Sequence, residues 1–179
     1  MGNTILGDDG AGIYAVRRLE ALLRARGAVP APGPAAPGTG GGSGRAGGRA
    51  GEEVTALALP DGRQIHLAEA CTGGLGLVEL LLGYERAVVI DAWPAAAAGA
   101  ITVLSLADMD GAPAPASLHQ VGLPAAMRAA ALLGLPLPTR VEVWAIGVQE
   151  ITLREACTPA VQAAVEEVAQ RLLDTLCPR

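Results

Sequence analysis

Several residue types are scarce or missing in this chain of 179 residues, and each shortage removes a class of function. There is no Lys and no Phe, only four aromatic residues and a net charge of −5. A nucleic-acid binder would normally show a basic stripe with stacking platforms, so that class is excluded. No run of about 18 apolar residues is present, which excludes an apolar membrane-spanning helix. Met1-Gly2-Asn3-Thr4 carries neither the basic segment nor the apolar stretch of a secretory signal, so a cytoplasmic location is expected. Cys71, Cys157 and Cys177 are odd in number, widely spaced and outside any Cys-x-x-Cys pattern. That fits a reducing compartment and argues against a zinc knuckle or a disulfide framework.

Ala is abundant instead, at 36 residues, and supplies much of the 51% scored as hydrophobic. The length suits a single domain over residues 1–179 with a core of its own, so any metal should serve function, not structural support. Gly and Pro are unevenly placed: they make up 14 of the 25 residues from Gly27 to Gly51. That stretch has no apolar periodicity to repay the entropy of ordering and reads as a flexible surface insertion.

Outside it, helices and strands alternate. Apolar spacing predicts helices over 11–26, 75–82, 123–133 and 159–176, and strands over 54–59, 64–68, 86–91, 101–106 and 141–148. Pro60-Asp61-Gly62 is a turn signal between the first two strands. Alternation of this kind implies an α/β fold with a parallel sheet and helices on both faces, in which sites lie in loops beyond the strand C-termini.

Three places meet that condition. Gly7-Asp8-Asp9-Gly10-Ala11-Gly12 precedes the first helix. Two carboxylates there read either as a capping pair or, since one suffices for a cap, as a cap plus an available ligand, Asp9. Asp91 follows the apolar run Ala87-Val88-Val89-Ile90; it is either a turn-capping Asp or a carboxylate at the edge where ligands bind. His119 lies in a loop ahead of a helix, where a ligand or general base would be placed, or it is structural. The other histidine, His66, sits within a strand pattern and is expected to bond a neighbour. Together Asp9, Asp91 and His119 make a set able to hold a divalent cation. Their mixed oxygen and nitrogen donors suit nickel, zinc or manganese better than calcium, with positions left open for water or substrate.

At these residues a family resemblance emerges. Gly2-Asn3-Thr4-Ile5-Leu6-Gly7-Asp8-Asp9-Gly10-Ala11-Gly12 resembles the opening signature of the hydrogenase maturation endopeptidases. Cys71-Thr72-Gly73-Gly74-Leu75-Gly76-Leu77, Val88-Val89-Ile90-Asp91-Ala92, Ser117-x-His119-x-x-Gly122-Leu123 and Ala145-Ile146-Gly147-Val148-Gln149 resemble its later signatures in the same order. The resemblance implies a three-layer α/β/α fold with a mostly parallel twisted sheet of about five strands. It also implies a hydrolase, a metal-dependent endopeptidase historically grouped with aspartic peptidases. Such an enzyme trims the C-terminal extension of a NiFe hydrogenase large-subunit precursor. Asp9, Asp91 and His119 are implied as its catalytic and metal-binding residues, the metal being nickel supplied by the substrate or another divalent ion. A monomer is expected.

The sequence departs from the family in three ways. Met1 stands directly before Gly2, where family members carry an apolar strand in mid-sheet; the expectations are a start placed too far downstream or, less favoured, an unstable or inactive product. Cys71 replaces a frequent Gly; a soft donor near the cleft is one reading, and a buried bystander the favoured one. The insertion lengthens the link after the first helix. Two competing functions are a non-catalytic accessory protein binding nickel or precursor, and a phosphate cradle in the Gly-rich loop. The second is disfavoured by Asp8 and Asp9, which would repel an anion.

Overall fold

The apolar periodicity of the sequence becomes five α-helices and six strands, in a computed structural model that describes residues 1–33, 54–94, 96–109, 122–149, 151–153 and 156–178. His119 and residues 34–51 of the expected insertion lie outside the described residues. A 3-10 turn, Asp8–Gly10, leads directly into helix α1, Ala11–Ala25. Its Ala11, Ala15, Leu19 and Leu23, spaced four apart on one face, are buried.

Strand β1, Val29–Pro30, belongs to the stretch expected to be a structureless insertion, and the structure corrects that boundary. The two residues pair antiparallel with β2, Val54–Ala58, through Val29↔Ala58 and Pro30↔Leu57. Proline fits there because β1 is an edge strand, where a missing N–H costs no ladder bond. β2 continues through a turn at Pro60-Asp61-Gly62 into β3, Gln64–Ala68. The Asp61 carboxylate accepts from Arg63 N at 3.0 Å and fixes that turn.

The second half holds α2 (Leu75–Leu81), β4 (Arg86–Trp93), β5 (Ile101–Ser105), α3 (Leu106–Met109), α4 (Leu123–Leu132), β6 (Arg140–Gly147) and α5 (Pro159–Leu176). β6 lies between β4, to which it is parallel, and β5, to which it is antiparallel. Alternation along these strands separates two core clusters. Ile90, Ala92, Trp144 and Ile146 pack with α1 and α5, together with Leu57 and Leu67 of the hairpin. Val89, Val141 and Val143 pack with α2 and α4. Each fully buried Leu or Val stabilises by about 1.5–3 kcal/mol. Exposed ion pairs such as Arg18–Glu166 are worth about 0–1 kcal/mol each. The two clusters therefore hold the helices on the sheet.

The single, mostly parallel sheet of about five strands is thus not what the described residues form. They form two three-stranded sheets with one parallel pair, β4–β6. A short connection permits only an antiparallel hairpin at β2–β3. The link between the sheets is Met1-Gly2: Met1 N donates to Ile90 O of β4, and Gly2 N donates to Ala70 O beyond β3 at 3.2 Å. Among the described residues, no helix is long and apolar enough to cross a membrane.

Candidate active site at the end of β4

Backbone turns shape the first loop. Leu6 N donates to Asn3 O, and Gly10 N to Gly7 O, both at 3.0 Å. Gly7 adopts φ 60° and ψ −112°, a conformation open to glycine and strained for other residues. The result carries Asp8 and Asp9 inward, leaving them only 2% and 6% exposed. Buried carboxylates need partners, and the two find different ones. Asp9 Oδ2 accepts from Asn3 N at 2.9 Å. Asp8 Oδ1 accepts from Thr158 N at 2.6 Å, and its Oδ2 from Thr158 Oγ1 at 3.0 Å. Neither caps α1, whose N-cap Gly10 has no side-chain cap bond. The capping reading is therefore corrected: Asp8 does hold a helix terminus, but that of α5.

Asp91 comes from the opposite direction. It lies within β4 and not after it, since the strand runs on to Trp93, and it faces Ala145 of β6 in the register. Its side chain shares the face of Val89, toward α2 and α4, and is 2% exposed. Its Oδ1 accepts from Ala92 N at 2.9 Å.

Glycine packing brings the two carboxylates to one place. Gly12, in the first turn of α1, lies so close to Ile90 O and to the Met1 backbone that a Cβ would collide with them. The Asp9 turn is thereby seated beside the residue that precedes Asp91. Burial lowers the pKa of the Met1 amino group, opposed most by the charge of Asp91 and also by that of Asp9, so both carboxylates lie within electrostatic reach of that group.

The loop ahead of α2 closes another side. Cys71 Sγ donates to Gly2 O at 3.2 Å; the residue is exposed, so the buried-bystander reading is corrected. Gly74, the N-cap of α2, approaches Gly122, the N-cap of α4, closely enough that a Cβ on Gly122 would lie 3.3 Å from Gly74 Cα. Gly122 is the nearest described residue after His119. Among the described residues, no three His, Cys, Asp or Glu form a group able to hold a metal. His66 behaves as its strand position implies, its Nδ1 lying 2.7 Å from Tyr84 Oη.

A family sequence model described as HycI, hydrogenase maturation protease, matches residues 49–175, well over half of the chain. The chain belongs to the hydrogenase maturation protease family. The matched stretch includes positions 91 and 119 and begins after the Asp9 turn. Solved structures of hydrogenase maturation proteases share the fold. The hydrogenase maturating endopeptidase HybD from E. coli superposes with a TM-score of 0.64 at 19% identity, over 98% of this chain and 87% of that one. The NiFe hydrogenase maturation protease HybD from Thermococcus kodakarensis gives 0.57 at 19% identity, over 97% of this chain and 93% of that one. No curated protein sequence matches the chain significantly. Family membership makes the protein a peptidase of hydrogenase maturation.

Two residues of the site went unrecognised in the sequence. Asn3 stands in the sequence only as part of a signature, and Thr158 only precedes the helix expected from Pro159. Thr158-Pro159 is a helix-start signal, but nothing local to it points to a carboxylate 150 residues away.

Proposed function

We propose that the protein is an endopeptidase that removes the C-terminal extension of a nickel-loaded NiFe hydrogenase large-subunit precursor, acting as a monomer. Asp9, Asp91 and His119 would recognise the nickel carried by that substrate. The observation that carries this reading is the convergence of two buried carboxylates, Asp9 and Asp91, around Met1 at the end of β4. Carboxylate oxygens fit nickel, manganese or zinc, and the imidazole of His119 would complete a set with open positions.

The roles follow from what holds each group. Asn3 N orients the Asp9 carboxylate through Oδ2, and Ala92 N orients Asp91 through Oδ1. Backbone donors keep both side chains from swinging away when substrate enters. Burial removes competing water, so each charge acts at fuller strength on a cation than it would at the surface. A bound metal ion supplies Lewis-acid polarisation of the scissile carbonyl or activation of water. Without that contribution, a carboxylate of the pair would serve as general base, as the older aspartic grouping implies.

The test is to incubate the protein with precursor, with and without nickel, and follow the large-subunit mass. Cleavage is expected only with nickel. Asp9→Asn, Asp91→Asn and His119→Ala, each checked for folding by circular dichroism, should lower the rate by about 10²–10⁴-fold. An unchanged mass with nickel present, or full activity in Asp91→Asn, would overturn the proposal. Stoichiometric binding of precursor without any mass change would establish the accessory-protein reading instead.

A further inference from the structure

Adjacent carboxylates at one site invite the assumption that both act on the substrate, and the geometry of Asp8 argues otherwise. Both of its oxygens are engaged by a single residue, Thr158, through the backbone N–H at 2.6 Å and the hydroxyl at 3.0 Å. The Thr158 hydroxyl would ordinarily cap its own helix. Although Thr158 has the extended N-cap conformation, φ −62° and ψ 155°, it makes no such cap. Its hydroxyl is turned to Asp8 instead.

Two further ties join the same segments. Gly7 forms an isolated antiparallel bridge with Ile151. Cys157 Sγ donates to Gly7 O at 3.7 Å, and burial, aided by the charge of Asp8, pushes that thiol up to about 11, so it stays protonated as a donor. The turn bearing Asp9 is thus fastened on one side to the start of α5, an 18-residue helix packed on α1 through the shared core. On its other side it reaches Asn3 and Met1.

We infer that Asp8 is a positioning residue: its bidentate bond to Thr158 anchors the Asp8–Gly10 turn to α5 and so fixes where the Asp9 carboxylate points. The inference rests on the proposed role of Asp9. It assigns the two neighbours different work, with Asp8 spent on the scaffold and Asp9 turned to the substrate.

The test uses the full chain with Asp8→Asn, Asp8→Ala, Thr158→Val and Thr158→Ser, beside Asp9→Asn. Two readouts are taken: kcat and KM for nickel-loaded precursor, and amide hydrogen exchange at residues 7–10 compared with the β2–β3 hairpin. An Asn at position 8 can accept from Thr158 N and donate to Thr158 Oγ1, so Asp8→Asn should keep most of the activity. Asp8→Ala loses both bonds and should lower kcat by about 100-fold with little change in KM. It should also speed exchange at Asp9 and Gly10 while leaving the hairpin as in the wild type. Thr158→Val, which keeps the backbone bond, should fall between, and Thr158→Ser should restore the wild-type value; this pair decides the matter if Asp8→Ala does not fold. If Asp8→Asn is as damaging as Asp9→Asn, Asp8 is a reacting carboxylate and the inference fails. It fails equally if Asp8→Ala leaves both kcat and exchange unchanged. Should the wild type not cleave precursor at all, the proposed function falls, and the exchange readout still decides the anchor.

Discussion

The two sheets differ in how they are covered, and the difference tracks where the proposed site lies. β4 and β6 have helices against both faces, and Val143 and Ile146 are completely buried. Along β2 and β3 only Ala56, Leu57 and Leu67 are buried, and the remainder is half-covered or exposed. A strand buried on both sides has little freedom, so a side chain at its end is held in one place. Asp91 lies toward the end of such a strand, and the turn before α1 packs against β4. The hairpin sheet adds apolar area to the α1–α5 core, and its described contacts with the site pass through Ala70 and Gly2. One sheet therefore serves as the platform for the proposed site and the other as a buttress.

Matched cavities would test that division most strongly. Leu57→Ala in the hairpin and Ile146→Ala in β6 both remove a fully buried side chain, and each should cost about 2–5 kcal/mol in denaturant unfolding. Their effects on activity should diverge. Ile146 pairs with Ala92, next to Asp91, so its loss should also lower kcat/KM of the folded protein, whereas Leu57→Ala should leave that value near wild type. Equal loss of activity in both variants would break the comparison.

A smaller effect is expected at Gly12, where the platform meets the Asp9 turn. Gly12→Ala places a methyl group against Ile90 O and the Met1 backbone, which cannot move as a flexible side chain would. Overpacking of this kind costs about 1–3 kcal/mol. It should also separate Asp9 from Asp91, so cleavage should fall more than stability alone explains. A variant as active as the wild type would show that the close seating of α1 on β4 is not needed.

These elements were unevenly legible in the sequence. The run Ala87-Val88-Val89-Ile90 announced a buried strand because both of its faces are apolar, and that signal is local. α1 and α5 were equally plain from their spacing. Strand pairing was not, because alternation of elements says which segments are strands and leaves their partners open; β5 pairs antiparallel and the hairpin forms its own sheet. Val29–Pro30 was hidden by the Gly/Pro-rich segment that follows it. At the site, Asp9 and Asp91 could be singled out by position. The division of labour between Asp8 and Asp9 could not, because the residue that engages Asp8 is 150 positions away. Position 119 is marked in the sequence by its place ahead of a helix and by a motif, and it lies outside the described residues.

The smallest expected effect concerns the buttress alone. On β3, His66 keeps its Nδ1 on Tyr84 Oη, the two rings meet edge to face, and its Nε2 is buried without a partner among the described residues. Burial lowers its pKa below the ordinary 6.5. As pH falls, the unfolded chain then takes up a proton before the folded one, so stability is whole above about 6.5 and declines below it. The residue is only half-buried, so the linkage should amount to a fraction of a proton, about 1–2 °C in Tm between pH 7.5 and 5.5. His66→Gln should flatten that part of the curve without changing kcat/KM at pH 7.5. Superimposable wild-type and variant curves would remove His66 as the cause, and a fall in kcat/KM would show that the hairpin sheet reaches the reaction after all.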